Sequence, residues 1–153
     1  MKPSRDLREE LERFVSSFDH AGLRSTDPIA FPHRFERKAD QEIVAIIAAL
    51  MAYGRADLIA RAMEDLLVRI GPNPSQTLRQ DQETDARARF DGFVYRVTRG
   101  VDVARLWMGL GDLVKRFGSL GAVFQAFDDD TADDFRPALA KLKASVVAAT
   151  PTF

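Results

Sequence analysis

Three observations predict an all-α fold, a compact orthogonal helical globule of five longer helices plus one or two short ones. Apolar residues recur at helical spacing along most of the 153-residue chain. No segment shows the sustained period-two alternation of a half-buried strand. One stretch, Ile43 to Ala52, is apolar without a break. A helix apolar on every side has to be enclosed by others, so this stretch is expected at the centre of the fold. Ile43, Ile47, Leu50 and Met51 are expected to be almost fully buried there.

The elements follow in order. Leu7, Leu11, Phe14, Val15 and Phe18 mark an amphipathic helix from residue 4 to about 20, with Ser4 as its N-cap. Gly22, Asp27-Pro28 and Phe31-Pro32 break the pattern, because each proline disfavours helix in the residue before it. Asp40 is read as the cap of the apolar helix, with Glu42 in its first turn and Gly54 at its stop. Ile59, Met63, Leu66, Leu67 and Ile70 mark a third helix, closed by Gly71-Pro72. Pro74 opens a short helix through Gln80, and the polar stretch Gln80 to Arg89 is expected to be exposed. Val103, Leu106, Trp107, Leu110, Val114 and Phe117 form the most regular stripe, ending at Gly118. Ser119 caps a short helix bearing Leu120, Val123, Phe124 and Phe127. Thr131 caps a last one with Phe135, Leu139, Leu142 and Val146.

Composition narrows the function classes. At 46% hydrophobic, the chain can bury one real core, and residues 1–153 read as a single helical domain. The net charge of -1 means that any nucleic-acid surface has to be a local patch. The absence of cysteine removes disulfides, iron–sulfur clusters and thiolate zinc sites. With only His20 and His33 as histidines, a histidine-rich metal site is not expected, and no cofactor is called for. The charged N-terminal stretch is no secretory signal. The longest apolar run is about half of what a bilayer requires. A soluble cytoplasmic protein with no membrane partner is the expectation.

Two glycine and acid patterns find structural explanations. Gly109-Leu110-Gly111 fails as a dinucleotide fingerprint, since no strand precedes it and Val114 stands where a third glycine belongs. The apolar stripe passes through it in phase, which points to close helix packing. Asp128, Asp129, Asp130, Asp133 and Asp134 lack the glycine and glutamate of a calcium loop. No serine–histidine–acid arrangement stands out, no catalytic residue is identified, and the chain is not expected to be catalytic by itself.

Three segments carry candidate binding chemistry. His33-Arg34-Phe35-Glu36-Arg37-Lys38 can neutralise phosphates, or serve as a solvated connector whose Phe31 and Phe35 dip into the core. Tyr53-Gly54-Arg55 can offer a flat stacking group, a close backbone approach and a phosphate anchor. Equally, it can be a capping turn with glycine in a left-handed conformation and tyrosine over the core edge. Phe93 to Arg99 interleaves aromatic and basic residues, as a stacking platform does; a buried short segment with Tyr95 at its edge explains it as well.

Taken together, Asp27-Pro28 with Phe31-Pro32-His33-Arg34, then Ala52-Tyr53-Gly54-Arg55, Phe93-Val94-Tyr95-Arg96 and Gly118-Ser119-Leu120 resemble an uncharacterised bacterial all-helical family. That family is itself distantly similar to the helix-hairpin-helix DNA glycosylases. The resemblance covers nearly the whole chain. It implies that residues 1–153 are the N-terminal half of a longer architecture, without the family's aspartate-bearing C-terminal region. It also implies nucleic-acid binding or DNA repair, with His33, Arg34, Tyr53, Gly54, Arg55, Tyr95 and Arg96 as the residues that contact DNA. The alternative is a non-catalytic helical module that binds another protein or its own C-terminal half. An exposed apolar patch near the last two helices is expected in that case.

Overall fold

The computed structural model describes residues 5–19, 22, 27–128 and 132–150. The chain runs through α1 (Arg5–Ser17), two 3-10 turns η1 (Pro28–Ala30) and η2 (Pro32–Arg34), and α2 (Lys38–Met51). It continues with α3 (Ala56–Ile70), α4 (Pro74–Gln80), α5 (Glu83–Phe90) and a hairpin of β1 (Val94–Tyr95) and β2 (Thr98–Arg99). α6 (Gly100–Phe117), α7 (Leu120–Phe127) and α8 (Arg136–Ala149) complete it. The all-α expectation holds. The antiparallel hairpin pairs only Val94 with Arg99 and Tyr95 with Thr98. The caps expected at Ser4 and Thr131 lie outside the described residues, as do His20, Asp129 and Asp130.

α2 and α6 supply much of the core. Ile43, Val44, Ile47 and Met51 of α2 join Met63, Leu66 and Ile70 of α3 and Trp107 and Leu110 of α6 in the buried cluster. α6 runs through both glycines without a break. A Cβ on Gly109 would lie 3.0 Å from the Val146 carbonyl oxygen of α8, and one on Gly111 3.3 Å from the Leu78 carbonyl oxygen of α4. The pair therefore lets two helices approach α6 closely, as the in-phase stripe indicates.

Leu50 departs from the expectation. It is 51% exposed while Ile47, three residues earlier, is 1% exposed. α2 is apolar all round, but α6 and α8 do not close over the strip formed by Ile46, Ala49 and Leu50, and an apolar groove remains. The helix is thus enclosed on three sides rather than four.

Asp40 also plays a different part. α2 starts at Lys38 with Arg37 as its N-cap residue, so Asp40 sits inside the first turn, buried. Its Oδ1 accepts the backbone N–H of Ser75 at 2.7 Å, which satisfies an orphan donor in the first turn of α4. Glu42 does the same at longer range, accepting the Gly121 N–H of α7 at 3.1 Å. One acidic helix start thereby caps two other helices. The local rule assigned Asp40 to the nearest helix; tertiary contact assigns it to a distant one. Ser119 does cap α7 as expected, accepting the Ala122 N–H at 3.0 Å. α8 begins at Arg136, so Phe135 precedes it as the N-cap residue rather than standing within the helix.

The polar stretch after α4 is not simply exposed. Asp81 is buried and accepts two hydrogen bonds from the Arg89 guanidinium, at 2.7 and 2.8 Å, and one from Trp107 Nε1 at 2.9 Å. The hydrogen bonds to Asp81 push the Arg89 guanidinium further above its ordinary pKa. Arg89 also donates to the Arg69 carbonyl, and Arg69 donates back to the carbonyls of Arg89 and Asp91. This clamp fixes the ends of α3 and α5 to the centre of α6, and sets the entry to the hairpin.

Candidate functional site

α2 ends at Met51, and the chain has to reverse before α3 begins at Ala56. Gly54 makes the reversal at φ +111, a conformation that side-chain-bearing residues rarely adopt. A Cβ there would also lie 3.0 Å from an Arg96 guanidinium nitrogen and 3.1 Å from the Tyr95 hydroxyl. The loop and the hairpin are therefore packed together through the space a side chain would occupy.

Two tyrosines lock that contact. The Tyr53 hydroxyl lies 2.7 Å from Thr98 Oγ1 and donates to the Tyr95 carbonyl at 3.2 Å. The Tyr95 hydroxyl donates to the Tyr53 carbonyl. The rings sit 5.0 Å apart at a 52° tilt, within the range favoured by aromatic pairs. Tyr53 is half-buried and Tyr95 buried. This geometry agrees with the capping alternative for Tyr53 and Gly54.

The cations around the contact differ in their engagement. Arg55 is the N-cap residue of α3 and forms two hydrogen bonds of 3.1 Å to Asp57, the arginine side chain being largely and the aspartate about half open to water. Arg96 is exposed and forms no ion pair among the described residues. Its φ of 53 is the one positive value at a non-glycine among those residues. Such a backbone costs on the order of 1–2 kcal/mol and persists where its surroundings over-determine it. Next to it, Val97 stands 83% exposed at the hairpin tip.

His33 and Arg34 belong to a different turn. Phe31 is buried and Phe35 half-buried, as the connector alternative has it. His33 is exposed on η2, while Arg34 lies 2.7 Å from Glu64 of α3 and 4.4 Å over the Phe31 ring. The structure thus brings Tyr53, Gly54, Tyr95 and Arg96 together with Arg55 beside them, and ties Arg34 to α3. Thr98 and Val97 also belong to this cluster; the sequence marked them only as members of the segment Phe93 to Arg99 and gave neither a role. The turn between Tyr95 and Thr98 is Arg96-Val97, which has none of the Asn-Gly or Asp-Gly signals of a two-residue hairpin.

The Arg34 hydrogen bond holds the Glu64 carboxyl below its ordinary pKa, outweighing a small opposing effect of burial. A depressed folded pKa means the pair stabilises the fold above the unfolded value. That stabilisation is lost as pH falls through the folded one. With both side chains about half exposed, the effect is expected at or below about 1 kcal/mol. An NMR titration should show Glu64 moving back toward its ordinary value in Arg34→Ala; an unmoved titration would show that the pair does not persist in solution.

Among the described residues no group of histidines and carboxylates is disposed to hold a metal ion, and no helix is long and apolar enough to cross a membrane. Neither the curated proteins nor the solved structures provide a match to this chain. The family model described as "Protein of unknown function (DUF2400)" matches residues 27–152, so the chain belongs to that family.

Proposed function

We propose that the Gly54 loop and the Arg96–Val97 hairpin tip bind the sugar–phosphate backbone of a nucleic acid, and that the chain serves as a DNA-binding, repair-related domain rather than as a catalyst. The observation that carries this reading is the convergence of two loops distant in sequence on one side-chain-free position. Arg96, without an acidic partner among the described residues, and Arg55, whose pair with Asp57 is exposed to competing phosphates, flank Gly54. Phosphate oxygens are the commonest targets of such arginines, and a glycine lets a strand approach the backbone. Tyr53 and Tyr95 act as the brace that holds loop and hairpin in register. The wedge in this arrangement is the exposed Val97, since the Tyr53 ring and hydroxyl are engaged within the protein. The distant similarity of the resembled family to helix-hairpin-helix glycosylases points in the same direction, as an analogy of fold.

Salt-dependent titration on duplex, mismatched and single-stranded DNA tests this. The parent should show affinity that falls with salt. Arg96→Ala and Arg55→Ala should each flatten the salt slope by about one phosphate contact, while Arg34→Ala, held by Glu64, should change it least. Absence of salt-dependent affinity in the parent, or a slope untouched by Arg96→Ala, would sink the proposal. A protein-interaction module is the second reading, favoured by the apolar groove along α2, α6 and α8.

A further inference from the structure

Two apolar surfaces of this chain are exposed, and they match. The first is the stripe on α1, where Leu11, Phe14 and Val15 are 54%, 63% and 58% exposed. The second is a groove of about 350 Å³ whose lining includes Ile46 and Leu50 of α2, Leu106 of α6, and Leu139 and Val147 of α8. Leu50, Leu139 and Val147 are each more than half exposed there. A helix with one apolar face laid into an apolar groove is a recurrent mode of recognition. Exposed apolar patches of this kind mark interaction sites.

We propose that α1 of one copy docks in the α2–α6–α8 groove of a second copy, and that the second copy returns its own α1 in the same way. The charges fit this occupant. α8 carries Arg136, Lys141 and Lys143 and no acid, and Lys143 stands on the groove edge. Among its described side chains α1 carries Glu9, Glu10 and Glu12 against Arg8 and Arg13. Glu10 lies one turn from Phe14 and so borders the stripe, while Arg8 is paired with Glu12 at 3.0 Å. Within one chain the groove is lined by α2, α6 and α8, and α1 lies outside it. Reciprocal exchange about a two-fold axis fills both grooves with one kind of contact and leaves no open end for further assembly. Stable interfaces bury about 1,200–2,000 Å², and reciprocal docking divides that requirement between two 13-residue helices and two grooves rather than resting it on one contact. The inference is independent of the nucleic-acid reading, which concerns another surface.

Analytical ultracentrifugation of the full chain across the micromolar range tests it, with Phe14→Asp as the helix variant and Leu50→Asp as the groove variant. Both positions are exposed in the single copy, and circular dichroism checks that each variant folds. The parent should self-associate as a dimer, and each variant should weaken the dimer at least about tenfold. Mixing the two variants should restore part of the dimer, because an intact helix from one then meets an intact groove on the other. Glu10→Lys and Lys143→Glu should each weaken the dimer and partly compensate when combined. A parent that stays monomeric overturns the proposal, including the case where α1 seats in its own groove. So does a dimer insensitive to both variants, or one that mixing fails to restore, which would mean helix-to-helix or groove-to-groove pairing.

Discussion

Ile47→Asp is expected to abolish the folded state at room temperature. Ile47 is 1% exposed in the middle of α2. Its loss removes about 2 kcal/mol of apolar burial, and the new carboxyl has no partner in an apolar core. Burying such a group costs several kcal/mol, whether it stays ionised or takes up a proton. The sum is comparable with the whole stability of an ordinary domain, about 5–15 kcal/mol. The matched control is Leu50→Asp on the same helix, where half the side chain is already in water. Measured at a concentration low enough that the parent is monomeric, that variant should keep its helical circular-dichroism signal and melt cooperatively close to the parent. If Ile47→Asp melts within a few degrees of the parent, or if the two variants behave alike, the placement of α2 at the centre is wrong.

Asp81→Ala is expected to be the most damaging polar substitution, destabilising by about 3–5 kcal/mol. It strands two groups at once. The Arg89 guanidinium, three-quarters buried, loses both of its carboxylate bonds, and the buried Trp107 indole N–H loses its acceptor. An uncompensated buried donor or charge carries its full desolvation penalty. Asp81→Asn should fall between parent and alanine, since an amide oxygen can still accept one donor while the charge is lost. Denaturant unfolding followed through Trp107, the single tryptophan of the chain, reports directly on this corner of the core. A loss below about 1 kcal/mol for Asp81→Ala would show that the three groups are not coupled as their geometry indicates.

How far each feature was legible depended on the distance over which its cause acts. The helices other than α5, the unbroken passage of α6 through Gly109 and Gly111, the Ser119 cap and the reversal at Gly54 all follow from residues within a turn or two of one another, whereas the polar sequence of Glu83–Phe90 carries no apolar stripe and reads only as an exposed stretch. The former features rest on local quantities, and the sequence by itself determined them. It also determined Ile43, Ile47 and Met51 as core. Leu50 was not separable from these, because periodicity says that a face is apolar and not whether a neighbour arrives to cover it. Asp81 looks like any surface acid until Trp107, 26 residues later in the chain, is brought against it. Asp40 looks like a cap for its own helix until Ser75, 35 residues on, presents an unsatisfied N–H. The candidate site divides in the same way. The sequence marked Tyr53, Gly54, Tyr95 and Arg96 as unusual residues in two separate loops. Only the tertiary structure put the Arg96 side chain into the space beside Gly54 and bound Tyr53 to Thr98, because that contact depends on how α3, α5 and α6 pack and not on any residue near either loop.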